Sequence, residues 1–250
     1  MLAKTTVKPS SGALGAPARR RLVLASTSRY RRLLLERLGI PFIAVAPGTD
    51  EAALAEEAPA ATAFRLAEAK ARSVAGAHPD ALIIGSDQVA DCDGRPIGKP
   101  GTHEGAVAQL TELSGRTVVF HTGLALLDAT SGQCQTALVD VRSTFRFLST
   151  SEIEAYLRRE RPYDCAGSVR SEALGIALFE SIASDDPTAL IGLPLIRLTC
   201  MLRVAGVNVL GSPFLHGNRA LIIDLAAKAR LPAIYQWPST ARQGGLLAYG

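Results

Sequence analysis

Two short apolar runs constrain the fold most. Residues 22–25 (LVLA) and 81–85 (ALIIG) each break off abruptly into small polar residues, and helically spaced segments lie between them. Each run reads as a buried strand. After the first, Ser26, Thr27 or Ser28 can cap a helix in which Leu34 and Leu38 repeat, and Gly39 and Pro41 end it. Residues 42–46 give a second strand. Residues 59–76 give a second helix, with Phe64, Ala67, Ala71 and Val74 expected on its apolar face. The stretch 81–87 is a strand expected to end at the polar Asp87, and 91–96 is a turn. Residues 104–113 form a third helix, stopped by Gly115. Two β-rich runs, 117–127 and 133–147, flank a turn and read as a hairpin. Ser149 and Glu152 make a capping box at the start of a fourth helix. A strand at 175–181 and a fifth helix between Pro194 and Gly206 follow. This order predicts an α/β fold: a mixed central sheet flanked by helices.

The chain's 250 residues are 48% hydrophobic, enough for one sizeable domain or two lobes. The net charge of +4 suits a small anionic substrate and is too small and dispersed to argue for nucleic acid. No stretch suits a signal peptide or a membrane span. Cys92, Cys134, Cys165 and Cys200 lie far apart and are read as reduced thiols, consistent with a cytoplasmic protein. The four histidines do not cluster and are read as surface or helix-start residues. Residues 1–20 are Ser/Gly/Pro/Ala-rich and read as a flexible leader, residues 21–210 as the domain. Residues 211–250 form an atypical C-terminal extension with no partner in the preceding pattern.

Four groups of residues could carry chemistry. Ser26, Ser28 and Arg31 sit at a strand-to-helix turn, where hydroxyls, backbone N–H groups and a guanidinium can cradle an anion. A capped helix with solvent-facing arginines is an equally open reading of these residues alone. Asp50 and Glu51 follow a strand; Asp50 is expected to serve its turn. Asp87, after a buried apolar run, is expected to face a cleft. Two such carboxylates can hold one divalent metal. Lys70 on the second helix and Lys99, framed by Gly98 and Pro100, complete a pattern that suits a metal–polyphosphate site. The P-loop, the dinucleotide fingerprint, the nucleophile elbow and the zinc-protease motif are all missing from the sequence.

The blocks LASTSRYRRLLL, GTDE, RLAEAKA, LIIGSDQV, GKPGTHEGA, LSGRTVVFHTGLAL, CAGSVRSEALGIALFE and LIGLPLIRLTCMLRVAG run in the order found in the Maf family of nucleoside triphosphate pyrophosphatases. The chain resembles that family over about residues 21–210. Within it, GSDQV and CAGSVRSE resemble the branch acting on 7-methyl-GTP; the dTTP/UTP branch typically has Thr after the Asp. The resemblance implies two lobes around a cleft, a divalent cation (magnesium or manganese), frequent homodimers and a cytoplasmic location. It also implies hydrolysis of a nucleoside triphosphate to the monophosphate and pyrophosphate. Asp87 falls on the family's catalytic acceptor position. Ser26, Arg31, Lys70 and Lys99 fall on phosphate positions, Glu51 with Asp87 on metal positions, and Tyr30, Gln88 and Glu172 on positions linked to base choice. Tyr30 departs from the Trp usual in this branch and should stack more weakly. Alternatives within the resemblance are dTTP/UTP or another modified nucleotide as substrate, or a non-catalytic nucleotide-binding regulator of septum formation.

Overall fold

The computed structural model describes residues 20–207 and isolated positions beyond them: 209, 224, 228, 234–235 and 247–248. The expected leader lies outside the described residues except for Arg20, and the expected C-terminal extension lies almost wholly outside them.

Strand β1 (Arg21–Ala25) is buried from Leu22 onward. It pairs in parallel with β2 (Phe42–Val45) on one side and β3 (Ala81–Cys92) on the other. The hairpin read from the sequence forms β5 (Thr117–Asp128) and β6 (Cys134–Phe145), and β5 joins β3 antiparallel. Strand β7 (Phe179–Ala183) pairs with β6, and the short β4 (Arg95–Ile97) folds back on the end of β3. The product is a seven-stranded mixed sheet in the order β2-β1-β3-β5-β6-β7, with β4 beside β3.

Helices cover both faces, and the alternation along each strand decides which helix each residue meets. Leu22, Leu24, Leu82, Ile84, Leu124 and Leu126 pack with α1 (Arg29–Glu36) and α5 (Leu195–Val204). Val23, Ala25, Ile83 and Ala125 point the other way, onto α2 (Pro59–Ser73). A separate apolar cluster gathers the far halves of β3, β5 and β6 with α3 (His103–Leu113) and α4 (Thr150–Glu160). These clusters make two lobes. Ser28 caps α1 by accepting from the Arg31 N–H, and the Ser149–Glu152 capping box starts α4 as expected.

Several expectations need correction. The buried face of α2 is Ala63, Leu66, Ala67, Lys70 and Ala71, while Phe64 is 38% exposed. The cause is close packing: a Cβ on Gly85 would lie 2.0 Å from Ala67 O, and one on Gly123 2.1 Å from Ala63 O. Helix backbone rests directly on these two glycines, so small residues take the contact face. Strand β3 does not end at Asp87 but continues to Cys92, because β5 offers ladder partners as far as Asp91. Residues 175–181 are not all strand: Leu174–Leu178 form a 3₁₀ turn, begun by the Ile176 N–H donating to Ala173 O at 3.3 Å. His121 is not a surface residue. It is 9% exposed and sits between Asp140 (Nδ1, 2.7 Å) and Asp91 (Nε2, 3.2 Å) on the neighbouring strands.

Candidate active site

The parallel β1–β3 pair and the tight seat of α2 bring the acidic and basic groups together. Gly123 lies directly opposite Asp87 in the ladder, and Gly85 lies two residues before it. Both therefore share the Asp87 face, on which α2 rests. The helix comes close enough for the Lys70 side chain, only 4% exposed, to reach across. Its Nζ lies 2.6 Å from Asp87 Oδ1 and 2.5 Å from Glu51 Oε1. A buried ammonium is strongly disfavoured unless paired, and here two carboxylates compensate it. Each carboxylate gives one oxygen to Lys70 and keeps the other.

Glu51 comes from the loop between β2 and α2. That loop is tied down by Arg65, which donates to Ala52 O (3.0 Å) and to both oxygens of Glu57 (2.6 Å each). Partial burial pushes the Glu51 carboxyl up, but Lys70, with Lys99 and Arg31 beyond it, more than offsets this and holds it below the ordinary value. Asp50 accepts from the Ala52 N–H at 3.0 Å, the turn role expected for it.

At the β1–α1 turn, Ser26 Oγ accepts from the Ser28 N–H (3.1 Å) and from Arg31 (3.5 Å). Arg31 Nε donates to Gly192 O at 2.9 Å. Enclosure lowers the Arg31 guanidinium, opposed by the Asp87 and Glu51 carboxylates. Arg32 pairs with Glu36 on the outside, and the exposed Arg29 lies 4.7 Å from the centre of the Tyr30 ring and donates to its hydroxyl.

One cleft of about 670 Å³ collects these groups. It is lined by Ser26, Tyr30 and Arg31 from the first turn, and by Glu51, Lys70 and Asp87. Gln88 on β3, Lys99 after β4 and Glu172 before β7 also line it. These nine residues thus face the same opening, although they come from six separate segments. Among the described residues, no three His, Cys, Asp or Glu side chains gather as a ligand set.

Details of three of these residues were not readable in advance. Gln88 spends its amide N–H groups on Thr122 Oγ1 (3.0 Å), Ala189 O (2.8 Å) and Leu190 O (3.1 Å), leaving Oε1 as its uncommitted atom. Tyr30 has a second guanidinium near its ring, that of Arg170 at 5.8 Å. Glu172 Oε1 lies 3.6 Å from Arg170 Nε, a buried donor without a hydrogen-bond partner among the described residues. Arg170 carried no sequence signal beyond its place in the CAGSVRSE block.

The family described as Maf-like protein matches residues 21–205, the span that builds both lobes and the cleft. The chain belongs to the Maf family. Among relatives of this Maf protein is one named 7-methyl-GTP pyrophosphatase from Burkholderia orbicola, 61% identical over 203 residues, covering 80% of this chain and 96% of the relative. Proteins of the same name from Polaromonas sp. and Albidiferax ferrireducens are 60% and 54% identical. The first alignment covers 76% of this chain and 87% of the relative, the second 80% and 100%. No described helix of this Maf protein is long and apolar enough to cross a membrane.

Proposed function

We propose that this protein hydrolyses a nucleoside triphosphate, preferentially 7-methyl-GTP, between the α- and β-phosphates. The products are the monophosphate and pyrophosphate. The observation that carries the reading is Asp87: a carboxylate fixed by a buried lysine, in a cleft that also presents Arg31 and Lys99. The names of relatives at 54–61% identity support the choice of nucleotide. On this reading residues 21–210 form the catalytic unit, and the protein works in the cytoplasm.

Lys70 orients the Asp87 carboxylate, which accepts a proton as water attacks the α-phosphorus. The new P–O bond forms as the bond from the α-phosphorus to the bridging oxygen breaks, and pyrophosphate departs. Arg31, Lys99 and Ser26 bind the phosphate chain and neutralise charge on the leaving group. Lys70 also prevents the two carboxylates from repelling the substrate before it is seated.

Glu51 and Asp87 suit a divalent cation. Each keeps one oxygen free, and a hard cation such as magnesium is commonly held by one or two carboxylates plus substrate phosphates. When bound, such an ion supplies charge neutralisation and lowers the pKa of a bound water.

A methylated N7 makes guanine cationic, and such a ring is drawn to an aromatic face and to a carboxylate. Tyr30 and Glu172 are the residues for those roles, with Gln88 Oε1 as an acceptor at the base edge. The test is pyrophosphate release from 7-methyl-GTP, GTP, dTTP and UTP, with magnesium or manganese, by the wild type and by Asp87→Asn. The wild type should prefer 7-methyl-GTP. Asp87→Asn should stay folded, because Glu51 still pairs with Lys70, and should lose turnover. Near-normal turnover in that variant refutes the assignment.

A further inference from the structure

Lys99 is exposed, so the aim of its ammonium is set by the backbone that carries it. That backbone is tethered at both ends. Gly101 N–H donates to Tyr163 O at 3.1 Å. Gly98 O accepts from Gly167 N–H at 3.4 Å and from the side chain of Gln109, whose Nε2 lies 3.1 Å away. Gln109 stands on α3, outside the set of residues that line the cleft. Its other amide atom is also committed: Oε1 accepts from Ser168 Oγ at 2.5 Å.

Ser168 is fully buried and holds a left-handed backbone, φ +57°. A serine keeps such a conformation only where its surroundings impose it. Two side chains of the second lobe do so. One is Gln109; the other is Tyr156, whose hydroxyl donates to Ser168 O (3.2 Å) and accepts from the Arg170 N–H (3.0 Å). The segment held in this way leads directly to Arg170 and Glu172. One primary amide therefore joins the loop presenting Lys99 to the segment presenting Glu172, with a donor to the first and an acceptor to the second.

We propose that Gln109 is a positioning residue that acts through Lys99. By pinning Gly98 against the Ser168 segment it fixes the ammonium where a polyphosphate chain binds, and it ties that placement to the adjoining segment that presents Glu172. The inference rests on the reading of Lys99 as a phosphate contact.

The test needs no turnover. Affinity for inorganic tripolyphosphate is measured by calorimetry for the wild type, Gln109→Leu, Lys99→Ala and the double variant. Gln109→Leu should weaken binding about fivefold, the scale of one lost hydrogen bond. In the Lys99→Ala background the same change should have almost no effect. Gln109→Glu keeps an acceptor for Ser168 but cannot donate to Gly98 O, so it should show the same dependence on Lys99; it carries the comparison if the leucine variant does not fold. If the losses from Gln109 and Lys99 multiply independently, or if Gln109→Leu binds like the wild type, the inference is wrong while the polyphosphate site stands. A wild type that binds no tripolyphosphate removes both.

Discussion

Replacing Gly123 with alanine should damage catalysis by displacing α2, although Gly123 itself holds no functional group. The added Cβ would sit 2.1 Å from Ala63 O, 2.6 Å from Ala63 C and 3.0 Å from Phe64 N. Carbon–oxygen contact becomes tolerable at about 3.3 Å, so α2 must retreat by about 1 Å. All three clashing atoms are helix backbone, which cannot rotate aside as a side chain could. The same helix carries Lys70, whose 2.6 Å bond to Asp87 would then be stretched beyond hydrogen-bonding distance. Overpacking of this kind costs about 1–3 kcal/mol, and for a domain of this size each kcal/mol lowers Tm by roughly 2–4 °C. A misplacement of about 1 Å in the catalytic constellation can cost roughly a hundredfold in rate. The assays are thermal unfolding and pyrophosphate release from 7-methyl-GTP at saturating nucleotide. The expected result is a folded protein with Tm lowered by several degrees and turnover down by one to two orders of magnitude. A variant with wild-type Tm and wild-type turnover would show that the close seat of α2 is not what delivers Lys70 to Asp87.

Two more outcomes follow from the geometry. Glu172→Ala should lower kcat/KM for 7-methyl-GTP about tenfold and affect UTP little, as expected for loss of a charged hydrogen-bond acceptor to one base only; equal losses on both nucleotides would remove Glu172 from base choice. The Arg65 hydrogen bond, helped by Leu54 N–H and Thr62, holds Glu57 at about 2, below its ordinary 4.5. Because the folded value is the lower one, this carboxylate stabilises the loop fully above pH 4.5, and the contribution fades as pH falls to about 2. Hydrogen exchange in residues 51–57 should therefore show protection that Glu57→Gln lacks at neutral pH and that the wild type loses across that acid window. Identical profiles for the two proteins from neutral pH downward would contradict it.

Much of the architecture can be read from local chemistry. Ser28 and the Ser149–Glu152 box start helices because a hydroxyl or carboxylate satisfies free N–H groups whatever the tertiary context. The β5–β6 hairpin is equally local. What cannot be read this way depends on partners distant in sequence. Lys70 on a helix reads as a solvated charge; its burial follows from Gly85 and Gly123, and nothing in α2 itself announces them. Asp87 reads as the end of a strand because polar residues follow it, yet β5 supplies ladder partners for four more residues, as far as Asp91. His121 looks like a surface residue until Asp91 and Asp140 arrive on the flanking strands. The nine cleft residues could be named through the family likeness, but their hydrogen bonds could not. Gln88 and Gln109 have the same amide, and only the fold decides what each one holds.

Strands β3, β5 and β6 are each twelve residues long and pass without interruption from one lobe into the other. A hinge needs a few residues whose backbone angles can swing freely, and three laterally bonded ribbons offer none at the boundary. The halves of this molecule cannot clap shut on a nucleotide as domains joined by single strands of chain do. Fit to the guest must instead come from the short stretches that bear Glu51 and Lys99, each held in place over a rigid frame. Selectivity is then set by how those stretches are moored more than by any large-scale closure.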